Sequence, residues 1–357
     1  MCEFDCFIEE KIEEGYFPGC VIHMGNKNDT IFHKALGFSE LIPIKREMKK
    51  DSIFDIASLT KPFATAVSIL RLVDSGMISL NTQVGSILME LQGTIDESTT
   101  VFELMTHTSS IPAWYPLYFY SLEEREIIRF IGTMKTEKSI YSCLNYILLG
   151  EIVERVTGET LKEFSETNIF KPLSMKDTIF NPPDILRERF VATEVGNRHE
   201  RELSKRYIKK TLFEWREKTI VGEVHDGNCF YCFNGISGNS GLFSTASDLA
   251  RFARLILQGG NEVLKPEMVQ FLLKTLTFVR GEKRSIGFLI GGDGCGRLSQ
   301  KTIWHTGFTG CALWIDPLKE IFIVFLSNAV HPEVRPNILK PIRPQIINHC
   351  LNIAMKL

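Results

Sequence analysis

Ser58 and Lys61, in Phe54-Asp55-Ile56-Ala57-Ser58-Leu59-Thr60-Lys61-Pro62, stand three residues apart where the apolar spacing of KPFATAVSILRLVD predicts a helix over Lys61 to Asp74. At that spacing both side chains lie on one helical face. Pro62 is tolerated only near a helix start, so the serine sits at the N-terminal end. There the helix dipole and free N–H groups favour negative charge on a serine oxygen or on a substrate oxyanion. A desolvated lysine beside it can give up its charge and accept the serine proton. This is the single S-x-x-K of the chain, and no G-x-S-x-G offers a competing nucleophile elbow.

Other constellations read differently. Cys229 and Cys232, with His225 nearby, have C-x-x-C spacing, but Cys295 and Cys311 supply no matching second pair, so buried apolar thiols are expected and no metal. Gly292, Gly294 and Gly296 do not make G-x-G-x-x-G and read as a turn between strands. Trp114, Tyr115, Tyr118 and Tyr120 form an aromatic cluster that either lines an acyl pocket or packs. The charged stretch from Arg187 to Lys210 mixes signs and reads as a solvated loop.

The elements that must position Ser58 follow from periodicity. Cys20 to Met24 and Thr30 to Leu36 read as a hairpin around Gly25 to Asp29. Helices are predicted over Ser142 to Val156 and Ala246 to Leu257, and strands over Ile286 to Ile290, Ile303 to His305, Ala312 to Ile315 and Ile321 to Ser327. A last helix is expected from about Arg335 to Ile353, its first half broken by Pro341 and Pro344. Sheet pieces at both ends and a helical middle predict an α/β (α+β) architecture. Residues 1–60 and 261–357 would form an antiparallel sheet region, residues 61–260 a mostly helical insertion, with the site between them.

Composition narrows the function classes. The 357 residues carry 41 Lys plus Arg against 43 Asp plus Glu, a net charge of −2, so neither nucleic acid nor an anionic membrane is the expected partner. With 44% hydrophobic residues the chain can bury an ordinary core, and no apolar run approaches a membrane span. Nine cysteines without a framework, and an acidic Met1 to Gly15 without a secretory pattern, predict free thiols in a reducing, cytoplasmic setting.

Six blocks in one order, DSIFDIASLTKPFATA, LMTHTSSIPAW, YSCLNYILLGEIVERVTG, VHDGN, SGNSGLFSTASDLARFARLIL and WHTGFTGCALWIDP, run from Asp51 to Pro317. In them the chain resembles the serine β-lactamase and penicillin-binding-protein family, in its class C branch, which also holds D-alanyl-D-alanine carboxypeptidases and carboxylesterases. The resemblance implies Ser58 as acylated nucleophile, Lys61 as its partner and Tyr141 as proton shuttle. His305-Thr306-Gly307 matches the third motif, and the N–H groups of Ser58 and Phe308 would form the oxyanion hole. His107 would keep a structural role. Two positions depart from the pattern: Cys143 stands where the family's second motif usually ends in Asn, and His305 stands where class C β-lactamases have Lys. A thiol is a poor hydrogen-bonding group and a neutral histidine a weak anchor for a carboxylate. Asn145 cannot replace the missing amide, since two residues turn it to the other side of the helix. The implied activity is acyl transfer through a serine ester on small esters or amides, without a cofactor, with esterase or D-amino-acid peptidase work favoured over efficient β-lactam hydrolysis. β-Lactamase activity and an inactive binding protein are the alternatives.

Overall fold

CVIHM at 20–24 and IFIVFL at 321–326 lie side by side at the centre of one sheet. The computed structural model describes residues 3–94, 97–208 and 213–354. Its main sheet contains β1 (Gly19–Asn26), β2 (Thr30–Glu40), β3 (Arg46–Glu47), β7 (Thr277–Val279), β8 (Glu282–Arg284), β9 (Leu289–Ile290), β10 (Ile303–Thr306), β11 (Ala312–Asp316) and β12 (Ile321–Ser327). The spatial order is β3-β2-β1-β12-β11-β10-β9-β8-β7, and every paired neighbour is antiparallel. β1 and β12 register from Cys20 against Ser327 to Asn26 against Ile321, so the strand that opens the sheet pairs with the last.

Both faces of these central strands are covered, which is why they read as unbroken apolar runs. Val21, Val324 and Leu326 face one core with Leu249 and Phe252 of the helix Ala246–Leu257. Ile22, Ile323 and Phe325 face the other with Phe4 and Ile8 of the helix Glu3–Glu13 and Ile346 and Ile347 of the helix Arg343–Ala354. The β1–β2 turn is held by Asn26, whose Oδ1 accepts from the N–H groups of Asn28 at 2.8 Å and Asp29 at 2.7 Å. Among the described residues no helix is long and apolar enough to cross a membrane.

Two expectations need correction. Ile286 to Ile290 is extended only at β9, because Gly287 sits at φ +74° and Ser285 N–H closes on Phe288 O at 3.0 Å. The last helix begins at Arg343, with Pro344 in its first turn where a missing N–H costs nothing. A second, smaller sheet joins the segment before Ser58 to two strands of the mostly helical middle: β4 (Phe54–Asp55), β5 (Ile179–Phe180) and β6 (Leu242–Ser244), ordered β4-β6-β5. That sheet anchors the segment leading into Ser58. Of the charged stretch from Arg187, residues 209 and 210 lie outside the described residues.

Candidate active site

β4 feeds directly into the serine. The Asp55 carboxylate accepts from Ala57 N–H at 2.8 Å and from His225 N–H at 2.7 Å. Ala57 is bent to φ +46°, a left-handed conformation that costs a residue with a Cβ about 1–2 kcal/mol. The Thr60 hydroxyl pins that bend, donating to Ala57 O at 2.7 Å and accepting from Leu242 N–H of β6 at 3.1 Å. After one 3₁₀ turn at Ala57–Leu59 the chain runs as a π-helix over Lys61–Ala66 and becomes α-helical only at Val67–Asp74. The predicted helix exists, but its first turns are widened, as often occurs at functional sites.

Lys61 is fully buried. Its Nζ donates to Ser58 Oγ at 2.9 Å, Asn239 O at 2.9 Å and Cys143 Sγ at 3.5 Å, three acceptors for the three protons of an ammonium. Burial alone would lower its pKa, yet Cys143, Tyr141 and Asp226 together hold it above the ordinary lysine value. That direction, with three acceptors around Nζ, favours the ammonium over the neutral amine that desolvation alone would give. Burial raises the Cys143 thiol, against the pull of Lys61.

Tyr141 and Cys143 flank Ser142, the N-cap of the helix Cys143–Thr157; the Ser142 hydroxyl accepts from Asn145 N–H at 3.2 Å and donates to Pro112 O at 2.6 Å. His107 fixes the same turn from below, its Nδ1 accepting from Ser142 N–H at 3.0 Å, with its ring 4.5 Å from that of Tyr141. Burial, then Arg284 and Lys61, keep His107 neutral by driving its pKa well down. Asn145 does point away: it is buried, donating to Leu104 O at 3.1 Å and accepting from Ser109 Oγ at 2.9 Å. The Tyr141 ring lies between two cations, with Lys61 Nζ at 5.2 Å and the Arg284 guanidinium at 5.3 Å from its centroid.

The third piece is the turn after β10. Gly307 packs so closely on the β4 segment that a Cβ would stand 2.4 Å from Ile56 O, and the Thr309 hydroxyl donates to Asp55 O at 2.7 Å. The His305 ring is 5.8 Å from that of Tyr141. Burial, reinforced by Lys61 and Arg284, pushes His305 down to about 3, so it carries no charge at neutral pH. The half-exposed Phe308 ring rests 5.5 Å from both His199 and His225.

Ser58, Tyr141, His305, Gly307 and Phe308 line one cavity of about 380 Å³, with Lys61 and Cys143 behind the serine. Sequence reasoning missed the other charged lining residues, Arg284, Arg335 and Arg343, set against a single carboxylate, Glu282. Arg284 is buried, pairs with Glu282 at 2.7 Å and leaves its Nε without a partner. Arg343, whose Nε is also unpartnered, is held down to about 10 by burial. The hairpin signal Arg280-Gly281 between two short strands could have located Arg284.

The remaining sequence candidates go elsewhere. Cys229 Sγ donates to Ser240 O at 3.4 Å, Cys232 faces Ser121 O, and His225 Nε2 meets Glu194 Oε2 at 3.0 Å. Among the described residues no group of three or more His, Cys, Asp or Glu is placed to hold a metal ion. The aromatic cluster packs on other aromatics: Trp114 on Tyr207, Tyr118 on Phe213, and Tyr120 stacked on Phe130 at 3.8 Å. Gly292 to Gly296 form the connection between β9 and β10.

A nucleophile beside a buried ammonium, closed by an antiparallel strand edge, is the arrangement of a serine acyl-transfer enzyme. The β-lactamase family model matches residues 4–343, and the chain belongs to that family, whose members are serine hydrolases. It is 30% identical over 380 aligned residues to the N-acetylmuramyl-L-alanine amidase of Bacillus subtilis strain 168, covering 94% of this chain and 83% of that protein. Among solved structures it is similar to EstCE1, a hydrolase with promiscuous acyltransferase activity, at TM-score 0.74 and 17% identity, covering 97% of this chain and 98% of that one. A class C β-lactamase from Rhodobacter sphaeroides superposes at TM-score 0.74 with 19% identity, over 98% of this chain and 100% of that chain. These two structures share the fold.

Proposed function

We propose that this serine hydrolase cleaves small amides or esters that carry a free carboxylate, by way of an acyl ester on Ser58. The observation that carries the reading is the cavity itself: Ser58, bonded to the Lys61 ammonium at 2.9 Å, opens on a wall with three arginines and one carboxylate. His305 is neutral, so a carboxylate would be held by the arginines instead. The amide chemistry in the name of the Bacillus subtilis relative supports the same substrate class.

In this reading the Ser58 oxygen attacks the carbonyl carbon while its proton passes to Tyr141 and on to the departing nitrogen or oxygen. The N–H groups of Ser58 and Phe308 receive the developing oxyanion. Water then cleaves the Ser58 ester, returning the serine and releasing the acid. Lys61 keeps its proton throughout and orients Ser58 Oγ. The reading includes a cleft between the sheet region of 1–60 and 261–357 and the insertion of 61–260, and a reducing, cytoplasmic setting, which the free thiols from Cys6 to Cys350 support.

The test is a panel of short-chain p-nitrophenyl esters, D-amino-acid dipeptides with free or amidated C-termini, and a chromogenic cephalosporin, run on wild type and Ser58→Ala together. Free-carboxylate dipeptides are expected to turn over at least tenfold faster than their amidated forms, and Ser58→Ala should lose about 10³-fold or more. Full activity in Ser58→Ala refutes the mechanism. A preference for the cephalosporin moves the assignment to lactam hydrolysis.

A further inference from the structure

Lys61 faces a question its own contacts do not answer: what holds an ammonium charged when it is fully buried, its nearest motif neighbour is a thiol and His305 is neutral. An isolated buried charge is costly, and a lysine without a counter-charge yields its proton. Among the described residues Lys61 has no direct carboxylate partner within ion-pair distance. Its third contact, the Asn239 carbonyl, belongs to a segment clamped from several sides. Gly238 O accepts from Thr65 Oγ1 at 2.7 Å, Ser237 and Ser240 bridge each other, and Gly238 lies so close to the helix Cys143–Thr157 that a Cβ would stand 1.9 Å from Tyr146 O. The Asn239 side chain is fixed too, its Oδ1 accepting from Ser237 Oγ at 2.8 Å and its Nδ2 donating to Asp226 Oδ2 at 3.3 Å.

Asp226 is thus one residue away from Lys61 in a continuous polar chain: ammonium to Asn239 O at 2.9 Å, then Asn239 Nδ2 to the carboxylate. Its other oxygen caps the short helix Gly227–Cys232, accepting from Cys229 N–H at 2.8 Å. Among the described residues no ion pair claims Asp226. Lys61 Nζ bonds both Asn239 O and Cys143 Sγ, so the lysine itself joins the Asn239 segment to the position where the family amide is missing.

We propose that Asp226 is a positioning residue for Lys61, acting through Asn239, and that this pair does here what an amide at position 143 would otherwise do. The idea rests on the Ser58 reading only for its consequence in catalysis; the charge state of Lys61 is a separate observable. The groups that face Lys61 are Tyr141, Cys143, Tyr146, His107 and His305, and of these neither histidine is charged. The acids around Asp226, namely Asp55, Glu200, Cys229 and Cys232, are all raised by burial, and Asp226 adds to each rise. Asp226 is half-buried and Lys61 fully buried one residue away, so neutralising Asp226 weakens the hold on the Lys61 proton.

Asp226→Asn tests this: Asn keeps the N-cap acceptor for Cys229 N–H and removes both the charge and the oxygen that accepts from Asn239 Nδ2, the two things the proposal assigns to Asp226. The Lys61 midpoint is read from ¹³Cε-labelled lysine by NMR, assigned with Lys61→Arg. It is expected to fall by about one pH unit or more in Asp226→Asn and to return toward wild type in Asp226→Glu. The alkaline limb of fluorophosphonate labelling at Ser58 should move by the same amount, with the plateau rate less affected. A Lys61 midpoint that stays put in Asp226→Asn overturns the proposal even if Ser58 labels normally. A midpoint that shifts while Ser58 stays unlabelled in wild type supports the role of Asp226 and sinks the Ser58 reading instead.

Discussion

Cys143 lies 3.5 Å from Lys61 Nζ, a contact to sulfur where the two other acceptors of the ammonium are oxygens at 2.9 Å. Cys143→Asn offers a third oxygen in place of the sulfur. One better hydrogen bond contributes about 0.5–1.5 kcal/mol, so acylation of Ser58 by a penicillin should speed up roughly two- to tenfold. Stopped-flow labelling with a fluorescent penicillin reads this; an unchanged rate would uncouple position 143 from the nucleophile. Arg284 makes the opposite case. It lines the cavity from β8 with its Nε unpartnered, so Arg284→Leu should lower kcat/KM for a carboxylate-bearing dipeptide at least tenfold more than for a neutral p-nitrophenyl ester. Equal losses on both would mean that it serves Tyr141 alone. Ser58, Lys61, Tyr141 and His305 were legible because their types and order carry chemistry, whereas Arg284 was not. A charged residue in the polar strand Glu282–Arg284 looks like surface until the fold turns it inward. The acceptors gathered around Lys61, Ser58 Oγ, Asn239 O and Cys143 Sγ, come from three separate segments, and a spacing of three residues could not show two of them.

Elements with enough residues to show a period were read nearly to their ends: the helix Ala246–Leu257 has the predicted bounds, and Cys143–Thr157 differs by one residue at each. The strands of two or three residues, β3 to β9, carry no period, and those among them that hold the serine segment in place were invisible. What binds these elements together is close backbone approach, and Gly238 is its sharpest instance. Ala there must push the 237–241 segment off the helix Cys143–Thr157, because its Cβ would meet Tyr146 O at 1.9 Å and Gly150 N at 2.8 Å. Gly238→Ala should cost about 1–3 kcal/mol in urea unfolding and draw Asn239 O away from Lys61, lowering kcat with it. Unchanged stability and unchanged kcat in Gly238→Ala would mean that the segment is not pinned.

At the scale of the whole molecule, burial of titratable groups on both sides of neutrality sets the pH range in which the fold is most stable. His23, stacked on His33 across β1 and β2, and His305 are both pushed down to about 3, His23 by burial and then by His33 and Arg254. Their stabilising contribution as neutral rings is complete above the unfolded value of 6.5 and is lost as the pH falls from there toward 3, because the unfolded chain takes up protons first. Glu200 and Glu151 run the other way, raised by burial to about 7 and about 9. Their contribution as neutral acids is complete below the unfolded value of 4.5 and is lost as the pH rises through 7 and then 9. Each such group tilts the stability by about 1.4 kcal/mol per pH unit within its window. Between pH 4.5 and 6.5 the two pairs oppose each other; of these four groups only the histidines titrate below that range and only the carboxyls above it. Urea midpoints across pH should therefore form a plateau in that interval and fall on both flanks. Glu151→Gln should flatten the alkaline flank and leave the acid flank unchanged, whereas His23→Phe should do the reverse. If Glu151→Gln kept the full alkaline slope, the cost would lie in charge repulsion spread over the surface and not in this buried carboxyl.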